Sequence, residues 1–288
     1  MINSETRLLA VIGCPCRHSL SPIIHNHFIA QQNSNAAYVA FEFEPEQLEA
    51  VYRGMVAMDF IGFNVTMPYK QSIYNLVDSC SDAAKATAAV NTVKIMPGLT
   101  TRGFNTDVEG FTRCLDKKKF KWSGAKALVI GAGGVARSSI YGMLQKPIEK
   151  IYVYNRNLSH AKNIRNLYKN DDRIEIIKYL NNVSINNIDL IVNCTPLGMD
   201  VNKQMVNKMP VPEDWSLEGK YIVEMVYNPM DTLLAKKSKR EGAILINGVE
   251  MLISQAAYSF KIWFDLEDIP DTENISQKIE NTILKRGL

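Results

Sequence analysis

Lys70 is a residue whose type and position in the chain suggest proton chemistry. It follows the apolar run 60–63 and the segment 64–69, so the sequence predicts a buried strand over 60–66 that ends just before it. Pro68 stops that strand because proline has no N–H to donate. Ligands of open α/β sheets bind at the carboxyl ends of strands, where a lysine beside a carboxylate can move a proton. The alternative, a solvated surface lysine, is the one this segment favours when taken alone.

Asp107 is a carboxylate with two open roles. It follows Gly103-Phe104-Asn105-Thr106 and precedes a helical pattern that continues to about Lys119. Aspartate at such a position commonly caps the helix. It can equally serve as the charged partner of a catalytic lysine, and the local sequence leaves both roles open.

Ser19 and Ser21 lie where a helix is predicted to begin. They follow a predicted strand over 7–13, and Ser21 is placed as the N-cap with Pro22 as the first helical residue. The free N–H groups of a helix N-terminus suit a carboxylate, and two hydroxyls would add donors. In the alternative, Ser21 only caps the helix and Ser19 faces solvent.

A glycine turn in the second half of the chain suggests a dinucleotide site. The apolar strand predicted over 126–130 is followed at once by Gly131-Ala132-Gly133-Gly134-Val135-Ala136, and a helical pattern continues to about Gln145. Glycines allow a tight turn close to a pyrophosphate, which the helix N-terminus then holds. The alternative is a plain tight turn between strand and helix.

The end of the next predicted strand, 150–154, indicates which dinucleotide is bound. An NAD-selective site usually has an acidic residue there for the ribose 2′-hydroxyl, whereas this strand ends in Asn155-Arg156-Asn157. An arginine at this position suits the 2′-phosphate of NADP. The sequence therefore predicts NADP(H) as the cofactor.

Composition excludes several classes of protein. The chain has 288 residues, is 46% hydrophobic and carries a formal net charge of +3, so neither nucleic-acid binding nor a membrane span is predicted. An odd number of scattered cysteines suits a reducing cytoplasm. Their spacing completes no zinc pattern, and no metal is predicted. These cysteines are Cys14, Cys16, Cys80, Cys114 and Cys194.

Strand and helix patterns alternate along the whole chain, which predicts an α/β fold with mostly parallel sheets and helices outside. Nine short motifs, taken together and in order, resemble the shikimate dehydrogenase family over nearly the full length. They are Gly13-x-Pro15-x-x-His18-Ser19-x-Ser21-Pro22-x-x-His25-Asn26, Asn64-Val65-Thr66-x-Pro68-x-Lys70, Ala89-Val90-Asn91-Thr92, Gly103-x-Asn105-Thr106-Asp107-x-x-Gly110, Gly131-Ala132-Gly133-Gly134, Asn155-Arg156, Asn193-x-Thr195-Pro196-Leu197-Gly198-Met199, Tyr227-x-Pro229, and Asn247-Gly248 with Met251 and Gln255.

The resemblance implies NADPH-linked reduction of 3-dehydroshikimate to shikimate by two α/β domains with the active site in the cleft between them. Residues 1–106, completed by the C-terminal helices of 248–288, would form the substrate domain. Residues 107–247 would form a Rossmann-like NADP domain. It also implies a cytoplasmic enzyme that is a monomer or homodimer.

The resemblance assigns roles position by position. Lys70 would be the catalytic acid/base, working with Asp107. Substrate would be bound by Ser19, Ser21 and Tyr227 at its carboxylate and by Thr66, Asn91, Asp107 and Gln255 at its hydroxyls. The cofactor would be bound by Asp82, Gly131, Ala132, Gly133, Gly134, Val135, Asn155, Arg156, Asn157, Thr195, Met225, Gly248 and Met251.

Departures from the family pattern concern the cofactor side. Asn157 and His160 stand where members usually have threonine and then a lysine or arginine, which weakens the argument for strict NADP preference. Glu250 interrupts a glycine-rich motif, and we expect it to point to solvent. Cys14 and Cys16 have no family role that we can assign.

Three other functions were weighed. A quinate/shikimate dehydrogenase that often uses NAD is opposed by Asn155-Arg156-Asn157, where an acid would be expected. A non-catalytic sensor of shikimate or NAD(P)H on the same fold is opposed by the intact Lys70 and Asp107. A tetrahydrofolate-type dehydrogenase is opposed by the serine pair, which suits a small carboxylate.

Overall fold

The computed structural model describes residues 2–199 and 205–286. The chain divides into two compact units. The first unit comprises Met1–Gly110 with Leu252–Asn281, and the second comprises Phe111–Met251 with Thr282–Leu288. Within the described ranges, no helix has both the length and the apolar character needed to cross a bilayer.

Each unit is built on a six-stranded sheet. The strands of the first sheet are β1 Arg7–Gly13, β2 Ala36–Glu42, β3 Gly62–Val65, β4 Ser79–Cys80, β5 Thr92–Ile95 and β6 Thr101–Phe104. Those of the second are β7 Lys126–Ile130, β8 Lys150–Tyr154, β9 Ile174–Ile177, β10 Leu190–Asn193, β11 Tyr221–Glu224 and β12 Ile244–Ile246.

The first sheet is mostly parallel, as predicted, with the strand order β2-β1-β3-β5-β6-β4. Parallel ladders join β1 to β2, β1 to β3 and β4 to β6, whereas β5 runs antiparallel to both β3 and β6. This reversal pairs Asn64 and Phe104 with the same residue, Thr92. The carboxyl ends of β3 and β6 therefore lie beside the start of β5. The segment after β3, the segment after β6 and the segment before β5 share this edge of the sheet.

The second sheet is entirely parallel, with the order β12-β11-β10-β7-β8-β9. This is the order of a doubly wound dinucleotide-binding sheet, in which ligands bind beyond the strand ends where the winding reverses. In this unit the reversal lies between β7 and β10. The glycine turn follows β7 directly, so the fold places it at that point.

Helices cover both sheets and fill the connections between strands. They are α1 Ser21–Gln31, α2 Leu48–Ala57, α3 Lys70–Tyr74, α4 Asp82–Thr87, α5 Asp107–Lys117, α6 Gly134–Leu144, α7 Leu158–Leu167, α8 Leu233–Arg240, α9 Gly248–Trp263 and α10 Ile275–Arg286.

Alternate residues of β7 face different cores. Ala127 and Val129 pack in one cluster, whereas Leu128 and Ile130 pack in another on the opposite face of the sheet. Both faces are covered, which explains why this strand is a continuous apolar run in the sequence. The core of the first unit includes Phe63, buried completely.

Two predicted boundaries were wrong. Ser21 is not the N-cap of α1: Leu20 holds that position and Ser21 is already helical, which proline at the next position permits. The strand predicted over 60–66 is shorter, because the pairing of β3 with β1 runs only from Gly62 to Val65.

Candidate active site

Lys70 and Asp107 form an ion pair in the first unit. Lys70 is the first residue of α3 and Asp107 the first of α5. The Nζ atom of Lys70 donates to Oδ2 of Asp107 at 2.7 Å, and the two side chains are only 17% and 10% exposed. The structure thus joins the two residues that the sequence proposed as an acid/base pair, and an ammonium so shielded is oriented more firmly than on an open surface.

Asn91 holds the second oxygen of Asp107. Its Nδ2 atom donates to Asp107 Oδ1 at 2.8 Å, and its Oδ1 atom accepts the backbone N–H of Thr106 at 2.8 Å. Because a backbone N–H can only donate, it fixes which end of the amide carries oxygen. The amide nitrogen is therefore turned toward the carboxylate.

Gln255 completes this group from helix α9. Its Oε1 atom accepts from Asn91 Nδ2 at 3.4 Å, and its Nε2 atom donates to the carbonyl of Leu252 at 2.8 Å. A Cβ on Gly110 would lie 2.9 Å from the backbone nitrogen of Gln255. Glycine at that position therefore lets α5 approach α9 closely enough for Gln255 to reach Asn91.

Beneath the ion pair lies a layer of hydrogen-bonded side chains, which we call the buried polar cluster. It consists of Asn64, Asn91, Thr92, Thr106 and Ser259, all of them buried. Sequence reasoning missed Ser259, although it lies one helical turn after Gln255 and on the same face of α9. Thr92 and Thr106 appeared in the quoted motifs without a role.

Ser19, Ser21 and Thr66 lie in the same unit. Ser19 Oγ accepts the N–H of Ser21, the first residue of α1, at 3.2 Å, and the N-cap residue Leu20 makes no side-chain capping bond. Thr66 follows β3 and packs against Gly13, where a Cβ would come within 2.2 Å of the threonine methyl. Within the described residues, no hydrogen bond joins these three side chains to the Lys70–Asp107 pair.

The glycine turn of the second unit fits a pyrophosphate. Gly131 has φ +110°, and a Cβ there would lie 2.9 Å from the carbonyl oxygen of Cys194, so the turn requires glycine. A Cβ on Gly133 would meet nothing within 4 Å, which leaves open space before the first turn of α6. That helix starts at Gly134, and its free N–H groups with the flanking Ala132 and Val135 form a cradle for an anion.

The end of β8 is basic and polar. Arg156 is exposed and makes no ion pair within the described residues. Asn155 Nδ2 donates to the carbonyl of Asn157 at 2.8 Å, and Asn157 Oδ1 accepts the N–H of Ser159 at 3.0 Å as the N-cap of α7. Arg156 thus has a free guanidinium for a phosphate, while the structure gives the Asn157 side chain a capping role.

The remaining predicted cofactor residues are distributed over both units. Thr195 Oγ1 donates to Asn193 Oδ1 at 2.7 Å and shapes the turn after β10. Gly248 packs so closely on the backbone that a Cβ would lie 2.7 Å from the carbonyl oxygen of Met225. Met251 is buried in the core of the second unit. Asp82 belongs to the first unit, exposed at the start of α4.

Glu250 and Tyr227 are partly buried side chains of the second unit. Glu250 was expected to face solvent, but its side chain is 33% exposed and its Oε2 atom lies 3.5 Å from Nζ of Lys118, in the turn that follows α5. Tyr227 is partly buried, and burial raises the pKa of its hydroxyl, which therefore acts as a neutral donor at pH 7.

Glu224, at the end of β11, is fully buried, and burial raises its pKa to about 7. Its carboxyl group accepts hydrogen bonds from Asn193 Nδ2 at 2.8 Å, from the N–H of Val226 at 3.1 Å and from Thr232 Oγ1 at 2.9 Å. It ties the turns after β10 and β11 to each other.

These features define an oxidoreductase that binds a dinucleotide on one α/β unit and carries a lysine–aspartate pair on the other. Residues 11–93 match the family model of the shikimate dehydrogenase substrate binding domain, and residues 114–221 match that of shikimate / quinate 5-dehydrogenase. The chain belongs to the shikimate dehydrogenase family.

Similar proteins agree with this assignment. Shikimate dehydrogenase (NADP(+)) of Caldanaerobacter subterraneus subsp. tengcongensis is 36% identical over 91% of this chain and 93% of its own. A crystal structure of a shikimate dehydrogenase in complex with NADP+ superimposes with a TM-score of 0.87 at 33% identity, over 98% of both chains. The Listeria monocytogenes shikimate 5-dehydrogenase, in complex with shikimate and NAD, gives 0.84 at 29% identity over 93% of this chain and 95% of its own.

Proposed function

We propose that the protein catalyses the reversible NADPH-dependent reduction of 3-dehydroshikimate to shikimate, the step before shikimate phosphorylation in aromatic amino-acid synthesis. The observation that supports this most strongly is the Lys70–Asp107 ion pair, in which Asn91 donates a hydrogen bond to the second carboxylate oxygen. A binding protein has no need of a shielded ammonium aligned in this way. Membership in a family of NADP-dependent dehydrogenases supports the same reaction.

The cofactor supplies a hydride to the ketone carbon, and the protein manages the charge that develops on the ketone oxygen. Lys70 Nζ stabilises that charge and then gives a proton to the oxygen, and a positioned acid of this kind typically contributes about 100- to 10,000-fold. Asp107 aims the lysine through the hydrogen bond to its Oδ2 atom. In the oxidation direction, the neutral amine takes the hydroxyl proton.

The substrate is held by its hydroxyls and its carboxylate. Thr66, Asn91 and Gln255, with Asp107, bind the hydroxyls. Ser19, Ser21 and Tyr227 bind the carboxylate. The start of α1 supports the carboxylate role, because a helix N-terminus attracts negative charge and Ser21 is the first residue of that helix.

The cofactor pyrophosphate is held by the turn from Gly131 to Val135 and the first N–H groups of α6. Arg156 binds the 2′-phosphate, which its exposure and freedom from ion pairs within the described residues support. Asn155 and Asn157 border the adenosine. Asp82, Thr195, Met225, Gly248 and Met251 complete the cofactor site.

We place the reaction in the cytoplasm and expect a monomer or homodimer. The five cysteines support a reducing compartment, since all of them are free thiols. Equilibrium sedimentation would distinguish the two assembly states.

The test is a matched assay of shikimate and quinate oxidation, each with NADP and with NAD. The proposed function predicts the highest kcat/KM for shikimate with NADP. Equal rates with quinate or NAD would instead identify a quinate/shikimate dehydrogenase, the second candidate, which the shikimate / quinate family model and the capping role of Asn157 favour. Folded protein without activity on any of the four pairs would contradict both and favour a sensor.

A further inference from the structure

Ser259 is completely buried on α9, and its hydroxyl is the meeting point of the buried polar cluster. Its Oγ atom lies 2.8 Å from Thr92 Oγ1, 3.0 Å from Thr106 Oγ1 and 3.1 Å from Asn64 Nδ2. It also lies 3.1 Å from the backbone carbonyl oxygen of Gln255, an alternative acceptor for its single proton. One hydroxyl therefore links helix α9 to β3, to β5 and to the segment before α5.

The partners of Ser259 are the groups that hold Asn91. Thr92 Oγ1 donates to Asn91 Oδ1 at 2.9 Å, and Thr106 provides both its N–H at 2.8 Å and its Oγ1 at 3.2 Å. A serine hydroxyl has one proton and two lone pairs. When that proton goes to Thr92 Oγ1, Thr92 keeps its own proton for Asn91 Oδ1, and the two lone pairs of Ser259 accept from Thr106 Oγ1 and from the Asn64 amide.

A continuous path of hydrogen bonds then leads to the reacting lysine. Ser259 fixes Thr92 and Thr106, and these two residues fix Asn91. The Asn91 amide holds Oδ1 of Asp107. The other oxygen of Asp107, Oδ2, holds Nζ of Lys70. All of these groups belong to the first unit. Buried networks of this kind orient their members when every partner is present and loosen when one is removed.

We propose that Ser259 is a positioning residue for the Lys70–Asp107 pair, acting through Asn91. This inference rests on the proposed dehydrogenase function. Ser259 does not touch the ion pair, so its role is to hold the amide of Asn91 in the orientation that restrains the carboxylate.

Helix α9 offers a matched control. Ser254 is also buried, and its Oγ atom has no hydrogen-bond partner within the described residues. Ser254→Ala and Ser259→Ala therefore make the same chemical change on one helix of the same unit. They differ in whether the lost hydroxyl belongs to the cluster.

The test compares steady-state shikimate oxidation by wild type, Ser259→Ala, Ser259→Cys and Ser254→Ala across pH, with thermal unfolding to fix the folded fraction. Ser259→Ala is expected to lower kcat about 10-fold and to displace the kcat–pH profile from that of wild type. Ser259→Cys, with a thiol that is a weak donor and acceptor, is expected to lie between Ser259→Ala and wild type. Ser254→Ala is expected to match wild type.

A double-mutant cycle tests the route through Asn91. If Ser259 acts through Asn91, Ser259→Ala adds little to the loss already caused by Asn91→Ala. Additive losses would overturn that route. A Ser259→Ala variant that only melts earlier, with the kcat and pH profile of Ser254→Ala, would overturn the positioning role. Inactive wild type would instead reject the dehydrogenase function itself.

Discussion

Asn91 turns its amide nitrogen toward Asp107, 2.8 Å from Oδ1, because the N–H of Thr106 occupies its oxygen. The carboxylate of Asp107 is thereby held on both oxygens, Oδ1 by the Asn91 amide and Oδ2 by the Lys70 ammonium. A charged acid/base pair with this support keeps one geometry while substrate enters and leaves. This relationship connects the local fold of the first unit to the proposed chemistry.

Replacing Asn91 with alanine should separate catalysis from stability. Asn91→Ala frees Asp107 Oδ1 and leaves the buried N–H of Thr106 without its acceptor, which lowers the free energy of unfolding by about 1–3 kcal/mol. The kcat for shikimate should fall at least about 10-fold. Urea unfolding and kinetics at matched folded fraction measure the two effects. Loss of stability with unchanged kcat would show that Asn91 is structural only.

Replacing Arg156 should alter cofactor preference. The exposed guanidinium makes no ion pair within the described residues, so Arg156→Gln is expected to leave stability unchanged. Charge-assisted bonds contribute about 1.5–3 kcal/mol, so kcat/KM for NADP should fall about 10- to 100-fold. The value for NAD should stay the same. Arg165→Gln, at an exposed position of the last turn of α7, is the control. Equal losses with both cofactors would remove Arg156 from the 2′-phosphate site.

His25 should make the protein sensitive to acid. It is fully buried and stacks on Tyr38, and burial lowers its pKa from the usual 6.5 to about 3, outweighing the opposing effect of Asn64. Below pH 6.5 His25 binds a proton in the unfolded chain but stays neutral in the folded chain. The free energy of unfolding should therefore fall by up to about 1.4 kcal/mol per pH unit until about pH 3, and this loss is absent above pH 6.5.

Unfolding by urea between pH 8 and pH 4 measures this effect. His25→Phe keeps an aromatic ring against Tyr38 and should flatten the pH dependence relative to wild type. His160→Phe, at an exposed position, should leave it unchanged. The same slope in wild type and His25→Phe would show that carboxylates alone govern acid unfolding.

Local patterns predicted one part of this protein well. The strands 126–130 and 150–154 were placed to the residue, since each is an apolar run that begins with a lysine and is followed directly by a turn residue. The glycine turn was found because its chemistry is contiguous in sequence. Lys70 and Asp107 lie 37 residues apart, and only the family resemblance brought them together before the structure did.

Other features depend on contacts between distant segments and could not be derived from local patterns. The reversal of β5 follows from pairing with β3 and β6, which no periodicity reports. Ser259 reads as one more small residue of an amphipathic helix until β3, β5 and the segment before α5 are placed against it. Glu250 meets Lys118 through helix packing, which a motif comparison does not contain.

The most direct measurement is kcat for NADP-dependent shikimate oxidation by Lys70→Ala, with NADPH binding measured by fluorescence. Lys70→Met, closer in volume, and Lys85→Ala, an exposed lysine of α4, serve as controls. We predict that both Lys70 variants lose about 100- to 10,000-fold in kcat while NADPH binding is retained and Lys85→Ala stays active. Near-normal turnover by folded Lys70→Ala would contradict the assignment of Lys70 as the group that moves the proton.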